Sequence, residues 1–437
     1  MEVAVLQDRP NLLSQVNTWM LCAILLVFAS LYGFSFERGS LNTFVGAETF
    51  GIQAGSASDA LIVKVQSFTV YALSLIFIAR TGRPIFTALR RHLLIVGVLG
   101  WAVASVFWST HPSTSGVNSV RMILNVLLVV TLLERYSAND VMKIVLLVGS
   151  VAAIGSLVMV FFFPQYGLQA RGQYALGAWQ GIFGQKNICG LEMLAVLLPA
   201  FFVQLHHRYA TFLRTGYVLT VLLIIAMTRS AGAWIVTSLC LIFVALLKVT
   251  ERMRRRDAAL LALGCGGLVT ALVLGFAFNF ETAMYALGKD PTMTGRTVIW
   301  KVLERSIAKQ PVHGYGYQAF WDGLQGESGN VAIQLNVAGY ASAESGVLEL
   351  WLEIGVVGLL LYAATYARAT WDACRYLSRR TSPEVLWYAS ILFFVFASNI
   401  EGGLLLTPSN LTCMLPFAAF IGLRKEVTRQ NLAEPTS

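Results

Sequence analysis

Charge is what this sequence has least of. Only 13% of its 437 residues are Asp, Glu, Lys or Arg, against roughly 25% in a soluble globular domain. With 56% of the chain hydrophobic, a fold dispersed in water is excluded. Nucleotide-binding signals are missing as well: there is no P-loop and no Gly-rich fingerprint, so ATP-driven transport has no basis in the sequence. The six cysteines, Cys22, Cys189, Cys240, Cys265, Cys374 and Cys413, lie in or beside apolar runs without paired ligand spacing. They read as small core residues rather than as a zinc site or a disulfide framework. The five histidines, His92, His111, His206, His207 and His313, form no cluster, so neither a metal nor another cofactor is expected.

Long apolar runs are abundant. A helix needs about 20 mostly apolar residues to cross the hydrocarbon core while satisfying its own backbone. About twelve such runs can be drawn, near residues 18–34, 60–79, 92–108, 117–134, 144–163, 188–205, 214–228, 231–248, 258–278, 345–367, 385–400 and 408–423. The expectation is an all-α, polytopic membrane protein whose partner is the lipid bilayer, with residues 1–437 forming one membrane domain. The segment before the first run is nearly uncharged and no small-residue cleavage site follows, so that run reads as a span rather than a removable signal.

A net charge of +9 raises the question of nucleic acid, but the placement of the charges answers it. Arg80, Arg83, Arg90 and Arg91 form one cluster, Lys248, Arg252, Arg254, Arg255 and Arg256 a second, and Arg368, Arg375, Arg379 and Arg380 a third. With twelve spans all three clusters and both termini fall on one side, which the positive-inside rule makes cytoplasmic. Nucleic-acid binding is not expected, and a bacterial inner membrane suits the pattern.

Most connections are short, but about 279–344, between spans nine and ten, is too long for a mere connector. It reads as a periplasmic subdomain with short helices. Within it Val298, Ile299, Val302, Leu303 and Ile307 fall on one helical face and Lys301, Glu304, Arg305 and Lys309 on the other. Pro311 and Gly314 then stop the helix.

Cations outside the cytoplasmic clusters need a reason to be there. These are Lys64, Arg121, Arg171, Lys186, Arg229 and Arg296. For any one, a local ion pair or snorkelling is a sufficient account; for several on one face, an anionic ligand is the better one. Arg296 opens the loop helix, where free N–H groups and the helix dipole favour an anion such as a diphosphate. Arg229 sits between two spans in a small-residue stretch that would admit a large headgroup. Glu344, Glu349, Glu353 and Glu401 are the acids to weigh as general bases. Glu349 and Glu353 lie one turn apart and could instead neutralise Arg229 or Lys186. Glu344, just outside the span at the end of the long loop, is the better base by position. His313, before Gly314-Tyr315-Gly316-Tyr317, reads as a turn residue.

Several segments together carry a resemblance. They are Gly295-Arg296-Thr297-Val298-Ile299-Trp300, Pro311 to Tyr317 with Phe320-Trp321, Gly181-Ile182-Phe183-Gly184-Gln185-Lys186-Asn187, Ala343 to Gly355, Asn399-Ile400-Glu401, and Trp108-Ser109 with Pro112. In order and topology they resemble the O-antigen ligase and exopolysaccharide polymerase family over roughly residues 100–420. The Gly-Tyr-Gly and Phe-Trp details look more like the exopolysaccharide polymerase branch. Gln185 and Glu344 stand where that family carries histidines.

The resemblance implies a metal-independent glycosyltransferase whose donor is a polyprenyl diphosphate-linked oligosaccharide, joined into exopolysaccharide or O-antigen at the periplasmic face. A chain-length regulator and export machinery are the implied partners. In this reading Glu344 and Arg296 are catalytic, while Arg229, Lys186, Arg171, Asn187, Trp300, Glu349 and Glu401 contact substrate. Two further readings stay open: a ligase moving glycan to lipid A core or another acceptor, and a non-catalytic membrane partner or transporter in polysaccharide export.

Overall fold

The computed structural model describes residues 71–79, 88–169, 176–252, 296–335, 342–399, 405–408 and 411–433. Among these residues the chain is helical, with one isolated bridge between Leu168 and Trp179 and no strands. The apolar runs 18–34 and 258–278 lie outside the described residues, as do Lys64, Arg171, Glu401 and both termini. Of the run 60–79, residues 71–79 are described and helical.

In chain order the main helices among the described residues are α1 (Leu93–Ala104), α2 (Pro112–Arg135), α3 (Ala138–Phe162), α4 (Lys186–Leu197), α5 (Ala210–Met227), α6 (Ala231–Arg252), α7 (Arg296–Lys309), α8 (Gly326–Gln334), α9 (Gly346–Leu377), α10 (Pro383–Ser398) and α11 (Leu411–Ala433). Five are long and apolar enough to cross a membrane: α2, α3, α5, α9 and residues Ala231–Val249 of α6. Two more apolar stretches are shorter, Leu93–Phe107 and Pro383–Ser398. The apolar run at 188–205 is also interrupted. α4 gives way to a 3-10 turn at Leu198–Phe201, where Pro199 has no N–H to continue the ladder.

Chemistry and burial explain the element ends. Ser137 caps α3 by accepting the Asp140 N–H, and Ser382 caps α10 by accepting that of Val385. Large side chains such as Trp387, Phe394, Phe417 and Met142 are fully buried between the long helices. Phe161, Phe162, Leu219, Ile235 and Ile242 are exposed, as side chains facing lipid should be.

The helices share two ends. At one end lie Arg90 and Arg91 just before α1, Arg135 at the finish of α2, Arg368 and Arg375 towards the finish of α9, and Arg424 and Lys425 within α11. At the other end α1 and α2 meet at Trp108 to His111, and a small helical cap rests there. α7 and α8 pack with the segment 311–321 around Ile299, Leu303, Ile307, Tyr315, Phe320 and Val331. α7 is the amphipathic helix that its sequence predicts.

Glu327 of α8 ties the cap together. Its carboxylate accepts from Ser306 at 2.8 Å, from Lys309 at 2.7 Å and from Asn330 at 3.0 Å. Burial pushes this acid up, yet the three hydrogen bonds and the Lys309 charge outweigh it and hold the carboxyl below its ordinary value.

Candidate functional site

The site is built where the cap meets α9. That helix is broken at Gly355, whose φ of 68° and ψ of −175° belong to glycine. A Cβ there would lie 2.1 Å from the carbonyl oxygen of Val312. A broken helix leaves backbone groups unpaired, and in an apolar setting each needs a partner. The turn at 311–316 supplies them. Tyr315 N–H donates to Leu352 O at 2.8 Å and Gly316 N–H to Glu353 O at 2.9 Å, while Val356 N–H donates to Pro311 O at 2.9 Å. Trp101 of α1 donates its indole N–H to Ile354 O at 2.8 Å.

The Trp108 to Pro112 turn clasps the same segment from the other side. Trp108 donates to His313 O at 3.0 Å. Thr110 N–H donates to Tyr315 O at 3.0 Å, and the Thr110 hydroxyl to Ala319 O at 3.0 Å. Ser115 donates to Tyr317 O at 2.8 Å. Gly316 has a φ of 107°, and a Cβ on it would lie 2.3 Å from Ser109 Oγ, so no larger residue fits between the turns. Three segments far apart in sequence, 108–112, 311–321 and 343–355, therefore form one hydrogen-bonded unit. His313 serves a turn, as its sequence context predicts.

At the head of α9 this unit presents Glu344. Its φ is 49°, a left-handed conformation that non-glycine residues seldom adopt. Such strain persists only where neighbours over-determine it, and here they do. Trp300 of α7 donates its indole N–H to Ala343 O at 2.9 Å. Glu349 accepts the Ala343 N–H at 2.7 Å with one carboxylate oxygen and the Trp321 indole N–H with the other. Glu344 N–H donates to Ser342 Oγ at 3.1 Å. One turn further, buried Glu353 accepts from Gln318 Nε2 at 2.8 Å.

These bonds correct one sequence expectation. The described partners of Glu349 and Glu353 are Ala343, Trp321 and Gln318 rather than Arg229 or Lys186. Trp300, expected to contact substrate, donates its indole N–H to the carbonyl of the residue before Glu344. Gln318, with a φ of 55°, was missed by sequence reasoning. No motif marks it, because its role arises only once the 311–316 turn docks on α9.

The remaining candidate residues that are described occupy the same end of the bundle on other helices. Lys186 and Asn187 open α4, with Lys186 N–H donating to Gln169 Oε1 at 3.4 Å. Arg229, φ 49°, lies between α5 and α6 and donates to Leu176 O at 3.3 Å, while Trp179 N–H donates to Met227 O at 3.0 Å. The 176–187 segment and the α5–α6 turn are thus joined in a second hydrogen-bonded unit. Arg296 is the first residue of α7. Asn399 ends α10 beside Gly346, where a Cβ would come 2.2 Å from its Oδ1. Behind the site, buried Glu192 of α4 accepts from the Thr412 hydroxyl at 2.9 Å. An acid inside an apolar run is the signal that could have singled it out.

Among the described residues, a helical bundle with five apolar spans and a polar cap across one end indicates a multi-pass membrane protein. Residues 216–363 match the family model described as O-antigen ligase. The exopolysaccharide production protein ExoQ of Rhizobium meliloti (strain 1021) is 26% identical over 372 residues, covering 80% of this chain and 83% of that relative. The chain is thus similar to an O-antigen ligase family model over these residues and to an exopolysaccharide production protein over most of its length. The family match spans α5 to the middle of α9 and so takes in Arg229, the cap and Glu344.

Proposed function

We propose that this protein is a polymerase that joins polyprenyl diphosphate-linked oligosaccharide repeat units at the periplasmic face of the inner membrane. In this reading the loop 279–344 is periplasmic and the arginine-rich end and both termini are cytoplasmic. The observation that carries the proposal is the strained Glu344, clasped through Ala343 by Trp300 and Glu349 at the end of the bundle that also bears Arg229, Lys186 and Arg296.

The reaction is attack of an acceptor sugar hydroxyl on the anomeric carbon of the donor. The bond from that carbon to the diphosphate oxygen breaks, the diphosphate leaves with the electron pair, and the hydroxyl proton passes to Glu344. Arg296 and Arg229 balance the departing charge, with Lys186 and Arg171 as further cations and Asn187 and Glu401 as contacts to sugar. Guanidinium groups suit this task, because their fork of donors matches phosphate oxygens. The donor arrives activated, so neither a nucleotide nor a metal is called on. Glu349 and Trp300 act as positioning residues.

The description of the matched family favours a second reading, ligation of finished glycan to lipid A core or another acceptor. Purified protein supplied with lipid-linked repeat units alone separates the two. A ladder of products supports polymerase, and transfer only when a distinct acceptor is added supports ligase. Turnover in neither case points to a non-catalytic partner or transporter in export.

A further inference from the structure

At the end of the bundle opposite the cap, α1, α9 and α11 border an open-sided cavity of about 230 Å³ lined by Arg90, Arg91, His92, Arg368, Asp372 and Arg424, with apolar residues that include Phe420. Four guanidinium groups thus face one carboxylate, an excess of three positive charges if His92 is neutral. Asp372 is 1% exposed. It is held only loosely, with Arg368 Nε at 3.4 Å and Arg424 Nη1 at 3.6 Å, and its Oδ1 makes no hydrogen bond. Each guanidinium has five N–H donors, so most of this donor capacity is not used on Asp372. The same cavity reaches the first turn of α1, where Leu93, Leu94 and Ile95 line it and no side chain caps the helix. Free N–H groups there add to the preference for an anion.

The surroundings indicate what kind of anion. Beyond the break at Gly355, Asp372 lies roughly 24 Å along α9 from Val356 at 1.5 Å per residue, most of the thickness of a hydrocarbon core, about 30 Å. The cavity is therefore at headgroup depth if the cap marks the other surface. Directly beside it Leu93 is 72% exposed and Leu94 37% exposed, an apolar strip continuous with an arginine pocket. A phosphate in the cavity with acyl chains along that strip satisfies both features, and arginine is the side chain suited to phosphate recognition.

We propose that this cavity binds the phosphate of an anionic glycerophospholipid, separately from the site at the cap. The test uses the full-length protein in nanodiscs or detergent, titrated with phosphatidylglycerol, phosphatidylcholine and inorganic phosphate, with retained lipid counted by native mass spectrometry. Wild-type protein should retain phosphatidylglycerol in preference to phosphatidylcholine. In the Arg90→Gln/Arg91→Gln variant, whose side chains are exposed, retention should weaken roughly thirtyfold, with an unchanged unfolding temperature in lipid-free detergent. Equal retention of the two lipids, equal retention by wild type and variant, or displacement of phosphatidylglycerol by millimolar inorganic phosphate would each overturn the proposal. The last result would mark a site for soluble phosphate.

Discussion

One carboxylate oxygen of Glu349 accepts the backbone N–H of Ala343 at 2.7 Å, and so fixes the peptide that leads into the left-handed Glu344. The other oxygen accepts from the Trp321 indole. Both partners are donors, which makes an isosteric amide the wrong replacement: one face of a glutamine would set N–H against N–H. Glu349→Gln is expected to cost about 1–3 kcal/mol of cap docking, read as a lower unfolding temperature and faster hydrogen exchange at Ala343. Unchanged exchange would remove the clasp from the account.

Gly355 makes a sharper prediction. A Cβ would lie 2.1 Å from Val312 O, at a φ of 68°, so Gly355→Ala suffers both steric overlap and backbone strain. The expected loss is at least about 2 kcal/mol, seen as reduced membrane abundance and a lowered unfolding temperature. Gly100→Ala, with open space around it, is the control and should be close to neutral.

Trp300→Phe keeps most of the ring and removes the hydrogen bond to Ala343 O. Loss of that bond leaves a carbonyl in need of a partner, at about 1–3 kcal/mol. In the proposed mechanism turnover falls through a misplaced Glu344, with KM for the donor little changed. A rise in KM alone would return Trp300 to the role of substrate contact.

Cap stability should depend on pH through Glu327. Its folded pKa is depressed, so the stabilisation is fully present above the ordinary carboxylate value, about 4.3, and is lost as pH falls through the folded value. Hydrogen-exchange protection of α7 and α8, compared between pH 6 and pH 3, should decline in wild type. In Glu327→Gln the dependence should be weaker, from a lower starting level.

Much of the architecture was legible because membrane spans obey composition and length. The runs at 117–134, 144–163, 214–228 and 231–248 fall on α2, α3, α5 and α6, and the amphipathic pattern from residue 297 falls on α7. Hydropathy counts apolar residues without weighing backbone continuity, which is why the 3-10 turn at Pro199 and the break at Gly355 interrupt helices that composition alone would run straight through. The acids of α9 were legible as special, whereas their partners were not. Ala343, Trp321 and Gln318 become neighbours only when the 311–316 turn supplies the backbone groups that the Gly355 break leaves open, a relationship with no local signature.

The most direct test of the central claim is turnover of lipid-linked repeat units by purified Glu344→Gln protein, with wild type and Glu344→Asp alongside. As the proposed base, Glu344 accounts for a loss of about 10²–10⁴-fold in the glutamine variant, partial activity in the aspartate variant, and unchanged donor binding. Near wild-type turnover in correctly folded Glu344→Gln would contradict the account.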